Sequence, residues 1–397
     1  MIGGWMMKNT IIDFVKWRGD LNFQKQPYQQ VDYLILSNLA YIQFEQFIES
    51  TSLFPLTIAQ AYELYQKKNL KVDNESYELF QEMAQYQRYQ NIQIMSYINE
   101  IDKELVKQFA GVTFFLENQT LFIAYRGTDS SLIGWHEDFL MLCENVVPSQ
   151  ISAVQYLQKI SQIPYSIPFL QSLKNQNLGT IKERIIKHFQ YKKHGYPILL
   201  AGHSKGGNLA MYAGCFVEEK IQERILKIYN YDGPGFQDEI IQSSQYKKML
   251  PRIMSYIPHY SFFGIVLLHE EAYQVVHSEN QGMLQHNTFS WSVTAQGFIK
   301  DELSYESVQF AIKVILFLEK MNFEERKVFV DTMFSLFDSL NLNTFDDLSH
   351  ITYKQILSAI KELTLLDSQM RKMLIEVLHM LWLESKKTKK KKEKNSK

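Results

Sequence analysis

The stretch "PILLAGHSKGGNLAMYAG", from Pro197 to Gly214, constrains this chain more than any other. An apolar run ends at Gly202, and Ser204 follows between glycines in the pattern G-x-S-x-G. A glycine pair comes next at Gly206 and Gly207, and a helical pattern begins without a spacer. A strand that runs straight into a helix needs a strained turn, and glycines on both flanks let the two backbones pack while the serine projects above the sheet edge. Downstream, "KGGNLAMYAGCFVEEKIQERI" reads as a helix and "LKIYNYDGPGF" as a strand closing in a Gly-Pro turn. Strand, helix and strand in that order make a βαβ unit, so the sheet is expected to be parallel and covered on both faces. In this context Ser204 reads as a nucleophile rather than as a small turn residue.

The rest of the chain falls around that unit. Val31 to Ile48, Ile58 to Lys67 and Tyr77 to Met95 carry apolar residues at helical spacing, so the first ~110 residues are expected to be mainly helical. "GVTFFLENQTLFIAYRG" reads as a hairpin turning at Glu117-Asn118-Gln119. Gln150 to Gln162 and Ile181 to Tyr191 read as helices. Between them, Ile163 to Thr180 is irregular, a loop or a flap over a site. "RIMSYIP" and "YQVVHS" are further strands, and past Gly297 amphipathic patterns return in the manner of a small helical bundle.

Charge and cysteine usage narrow the class. The whole chain carries −1, yet Lys386 to Lys397 hold eight lysines and one glutamate, so the remainder carries −8. Attraction to anionic lipid is therefore expected from the tail and not from the body, and no nucleic-acid partner is expected. Cys143 and Cys215 are far apart in apolar helical contexts, which points to buried thiols. The N-terminus shows no basic start and no apolar run of signal length, and no segment reaches the roughly 20 apolar residues of a membrane span. The expected location is the cytoplasm.

A serine hydroxyl is a poor nucleophile at neutral pH, so a histidine must take its proton and an acid should orient that histidine. In a hydrolase of this kind the chain order is Ser, then Asp or Glu, then His. Asp232 closes the first strand after the elbow, with a turn aspartate as the alternative reading. Among downstream histidines, His286 lies in a loop after the last expected strand and is chosen as the base, with His259 as runner-up. His203 is excluded, because its side chain should leave the turn on the face away from Ser204. The oxyanion is expected on the backbone N–H of Lys205, at the first turn of the elbow helix, and on Thr128 in "YRGTD". The Lys205 side chain is either a solvated lysine or an attractor of an anionic substrate.

With these residues in place, the chain resembles the class 3 (fungal-type) lipase branch of the α/β-hydrolases. More narrowly, it resembles a family of uncharacterised lipase-like bacterial proteins with a GHSKGGNLA elbow. The matching segments run from "VKWRGDLNF" near the start through "IAYRGTDSSLIGWHEDF" and "YNYDGPGF" to "GMLQHNTFSW". The resemblance implies an α/β-hydrolase fold with a mostly parallel central sheet, a helical N-terminal region and a C-terminal helical appendage. It also implies ester hydrolysis without a cofactor, with Trp135 and Asp138 buttressing the Thr128 loop. The expected organisation is a hydrolase domain over 1–300, a helical region over 301–385 and a disordered polybasic tail over 386–397. One departure stands out: class 3 lipases carry their acid after the strand that corresponds to "RIMSYIP", and Ile253 to Leu268 contains no Asp or Glu. That leaves Asp232, or a later residue such as Glu270, or no acid at all.

The expected activity is therefore serine-dependent cleavage of a lipid or small-molecule ester. The alternative is a weak or inactive hydrolase fold kept as a binding or scaffold module. A polybasic segment gains about 1 kcal/mol per basic residue near an anionic membrane surface. Removing residues 386–397 is accordingly expected to weaken co-sedimentation with phosphatidylserine vesicles at low salt. Unchanged binding would leave the tail no membrane role.

Overall fold

The βαβ unit is part of an eight-stranded sheet whose strands lie in chain order: β1 (Leu56–Thr57), β2 (Gln93–Asp102), β3 (Lys107–Phe115), β4 (Leu121–Tyr125), β5 (Ile198–His203), β6 (Ile225–Tyr231), β7 (Ile253–Pro258) and β8 (Ala272–Val276). The structure, a computed structural model, describes residues 9–48, 55–162 apart from 71 and 73, 195–342, and positions 344, 347, 351, 352, 354, 355, 368, 371, 372, 374 and 375. The expected flap over 163–180, the helix over 181–191 and the polybasic tail lie outside the described residues. β3 and β4 form the expected antiparallel hairpin, and every pairing from β4 to β8 is parallel. This is the α/β-hydrolase fold, a mostly parallel sheet flanked by helices. β4 and β5 are buried at every residue, as strands covered on both faces must be.

Register sets the working edge of the sheet. Tyr125 pairs with Gly202, His203 with Tyr231, and Tyr231 with Tyr256. β5 and β6 thus end level with each other, β4 one residue short of them and β7 two residues past. The residues that follow them, Arg126, Ser204, Asp232 and His259, all emerge at the carboxyl edge, where α/β folds place their sites.

The described chain divides into two compact units. One takes the chain up to Glu100, Phe109–Gly127 and Ser149–Ala311; the other takes Ile101–Gln108, Thr128–Pro148 and the chain from Ile312 onward. In the first, the early helices are α1 (Ile11–Arg18), α2 (Gln30–Asn38), α3 (Ile58–Lys67) and α4 (Glu75–Gln85). The helical spacing read over Tyr77 to Met95 stops early. Tyr86 turns extended at φ −98° and ψ 136°, and the alternating "NIQIMSYIN" becomes β2. In the second unit, α5 (Leu132–Leu140) packs with the helix Phe323–Ser339. The His136 ring stacks on Phe334 at 4.2 Å there, and Lys327 pairs with Glu144 at 2.8 Å. Both cysteines are buried free thiols. Among the described residues no helix is long and apolar enough to cross a membrane.

Helix α2 is buried from Val31 to Asn38 and packs on β5. A helix enclosed on all sides carries an acid only if that acid is paired. Asp32 is. Arg88 grips it through Nε at 2.9 Å and Nη2 at 2.7 Å, Tyr89 donates its hydroxyl at 2.7 Å, and the Gln29 N–H donates at 2.7 Å. Both side chains of the ion pair are fully buried. Removing one partner of such a pair strands the other charge, at a cost of about 3–5 kcal/mol. Asp32→Ala is expected to destabilise the protein by about that much in urea unfolding. The double variant Asp32→Ala/Arg88→Met should recover part of the loss.

Candidate active site

Ser204 begins where β5 ends. Its backbone adopts φ 58° and ψ −135°, a conformation that persists only when its surroundings enforce it. The Ser204 N–H donates to the Tyr231 carbonyl at 2.9 Å, and the Gly207 N–H donates to the Ser204 carbonyl at 2.8 Å. A Cβ on Gly202 would collide with the Gly206 carbonyl, and one on Gly206 would collide with that of Tyr125. Only glycine at both positions lets strand and helix approach this closely. Ser204 also stands at the N-cap of the elbow helix Lys205–Phe216, yet its side chain makes no cap bond. A capping serine sits in the extended region, where its oxygen reaches an N–H of the first turn; the left-handed backbone of Ser204 takes it out of that role.

Asp232 repeats the device one strand over, with φ 54° and its N–H donating to the Tyr256 carbonyl at 2.8 Å. Its carboxylate is completely buried. Oδ2 lies 2.6 Å from His286 Nδ1, while Oδ1 accepts from Ser261 Oγ at 2.5 Å and from the Gly264 N–H at 3.1 Å. Ser261 is anchored in turn, because Ser307 Oγ donates to its carbonyl at 2.5 Å. The segment after β7, free of Asp and Glu as far as Leu268, thus supplies a hydroxyl and an amide that hold the carboxylate after the neighbouring strand. Glu270 is elsewhere, paired with Lys247, and His259 faces Asp301 at 3.4 Å.

His286 closes the short turn Gly282–His286. Trp291 Nε1 donates to the Gln285 carbonyl at 2.8 Å, the Tyr260 N–H donates to Gln285 Oε1 at 2.8 Å, and Thr288 Oγ1 donates to Asn38 Oδ1 at 3.2 Å. The Phe263 ring lies 4.3 Å from the imidazole. On another side stands His203, whose Nε2 is 2.9 Å from the His286 carbonyl and whose Nδ1 is 2.9 Å from the Tyr41 hydroxyl. Burial, helped by the charge of His286, holds the His203 pKa well below the usual imidazole range. Sequence reasoning considered His203 only as a base and had no signal for Tyr41, which sits at the end of a helical run.

Lys205 is buried, which overturns the reading of a solvated lysine. Thr128, Trp135 and Asp138 belong to the second unit, where the Thr128 hydroxyl donates to Asp138 Oδ2 at 2.5 Å and Trp135 lies on α5 with Asp138. Among the described residues no group of His, Cys, Asp or Glu is arranged to hold a metal ion.

The model of the Mbeg1-like family matches residues 83–335, more than half of the chain. No curated protein matches the sequence. Among solved structures the chain is similar to lipase II from Rhizopus niveus, with 12% identity over 70% of this chain and 89% of that one and a TM-score of 0.34. It is also similar to M37 lipase, with 15% identity over 60% and 70% and a TM-score of 0.35. The Rhizomucor miehei lipase propeptide complex matches with 11% identity over 74% and 78% and a TM-score of 0.34. At these values the likeness says nothing of activity.

At the amino end of β8, Glu271 accepts from Ser255 Oγ at 2.6 Å and Tyr246 at 2.8 Å and lies 2.7 Å from His269 Nδ1. Burial pushes its pKa up, but the bonds from His269 and Ser255 outweigh burial and hold it at about 2, below the ordinary 4.5. A depressed carboxyl stabilises the fold fully above pH 4.5 and loses that contribution as the pH falls through about 2. Glu271→Gln should therefore cost about 3 kcal/mol at pH 7, at roughly 1.4 kcal/mol per pKa unit. Urea titrations run from pH 4.5 down to 2 should show that cost shrinking, and a constant cost would contradict the assignment.

Proposed function

The chain belongs to the Mbeg1-like family, and we propose that it is a serine hydrolase that cleaves carboxylic esters by acyl transfer. The observation that carries the reading is Ser204: a serine in a strained turn at a helix N-terminus whose hydroxyl does not cap the helix. A strained residue with no structural use of its side chain is held for chemistry. What supports the partners is the buried Asp232 at 2.6 Å from His286 Nδ1, with His286 packed beside the residue that precedes Ser204.

Ser204 Oγ attacks the ester carbonyl as Nε2 of His286 takes the hydroxyl proton. Asp232 holds the Nδ1–H tautomer and stabilises the imidazolium that forms. The first oxyanion donor is the backbone N–H of Lys205. For the second donor we take Thr128, on the pattern "YRGTD" upstream of the elbow. His286 then gives its proton to the departing alcohol, water attacks the acyl-serine by the same relay, and the carboxylic acid leaves.

The substrate is a lipid or small-molecule ester. A fluorophosphonate probe is expected to label the protein at Ser204. Ser204→Ala should lower p-nitrophenyl ester turnover on the order of a million-fold, and Asp232→Ala and His286→Ala should lower it by at least about ten-thousand-fold. A panel of acyl-chain lengths on the wild type would define the substrate. Absence of labelling under conditions that label a control esterase would refute the proposal.

A further inference from the structure

His203 has two polar neighbours, and together they fix its proton. A carbonyl oxygen only accepts, so the 2.9 Å contact with the His286 carbonyl places the proton on Nε2. In the neutral ring Nδ1 is then an acceptor, and the Tyr41 hydroxyl donates to it at 2.9 Å. One protonation state satisfies both contacts. A second proton, on Nδ1, would set donor against donor until the tyrosine hydroxyl reversed. It would also place a cation 4.5 Å, ring centre to ring centre, from His286, where a like charge disfavours protonation of the base.

We propose that Tyr41 and His203 are positioning residues: together they fix the backbone of His286 and keep a neutral ring beside it, so that an imidazolium can form on His286 during acyl transfer. The inference rests on the reading of Ser204, Asp232 and His286 given above. The three partners come from separate elements. Tyr41 ends the short turn Leu39–Tyr41 after α2, His203 is the last residue of β5, and His286 ends its own turn. A line of hydrogen bonds therefore runs from the N-terminal helices, through the residue before the serine, to the base. The titratable groups in contact with the His203 ring are Tyr41 on one side and His286, with Asp232 behind it, on the other. Asp232 supplies the negative charge for one cation, and a charged His203 would compete for it.

The test is p-nitrophenyl acetate hydrolysis by the full chain, for wild type, Tyr41→Phe, His203→Gln, His203→Ala and Ser204→Ala. A glutamine amide can still donate to the His286 carbonyl, and alanine cannot. Tyr41→Phe and His203→Ala are expected to lower kcat several-fold with little change in KM, and His203→Gln should recover part of that loss. A loss that falls on KM instead, or a His203→Gln no better than His203→Ala, overturns the proposal. A measurement without variants gives a second check. In the wild type, nitrogen NMR of labelled histidines should find His203 as the Nε2–H tautomer, uncharged between about pH 5 and 8, where free histidine titrates. An Nδ1–H tautomer, or charging in step with His286, also overturns it. Persisting hydrolysis in Ser204→Ala would instead defeat the hydrolase reading, while a dead Ser204→Ala with an unchanged kcat in Tyr41→Phe and His203→Ala defeats this inference alone.

Discussion

The structure depends on the close approach of β5 to the helix that follows it. No spacer separates them, so the turn must be made by one residue, and Ser204 takes a left-handed φ to make it. The glycines at 202 and 206 are the steric condition for that turn. The parallel register is the electrostatic one, since it brings the Tyr231 carbonyl to the Ser204 N–H. The same arrangement is displaced by one strand at Asp232, whose N–H meets the Tyr256 carbonyl. Two residues in a costly backbone conformation thus stand on neighbouring strands, each secured by the ladder bond of the next strand.

The N-terminal helices serve this edge from behind. Asp32 and Arg88 lock the entry of α2, the far end of α2 delivers Asn38 to Thr288, and the turn after it delivers Tyr41 to His203. The turn that carries His286 has little regular structure of its own. Its position comes from Trp291, which follows closely in the chain, and from Tyr260, Asn38 and His203, which reach it from three distant parts.

What was legible in the sequence was what local physics decides. The elbow is a run of neighbouring residues with a steric signature, and the parallel sheet follows from the strands on either side of it. Asp232 and His286 were visible as a strand end and a loop, because chain order restricts where such residues can stand. Their 2.6 Å contact was not visible, since it joins residues 54 apart, and the Tyr41 to His203 bond joins residues 162 apart. Pairings of that range depend on how whole elements pack. The strand β2 was missed for a different reason: its apolar residues satisfy a helical stripe and a two-residue alternation equally well over so short a window.

The position of the Asp232 carboxylate follows from the count of donors. A fully buried carboxylate needs partners for both oxygens, and at Asp232 the donors are His286, Ser261 and Gly264. Two of the three come from the segment after β7, so a hydroxyl and an amide there meet the carboxylate that follows β6. A second carboxylate among those donors would set a like charge beside a buried one, which disfavours the ionised form of both. The stretch from Ile253 to Leu268 is free of Asp and Glu.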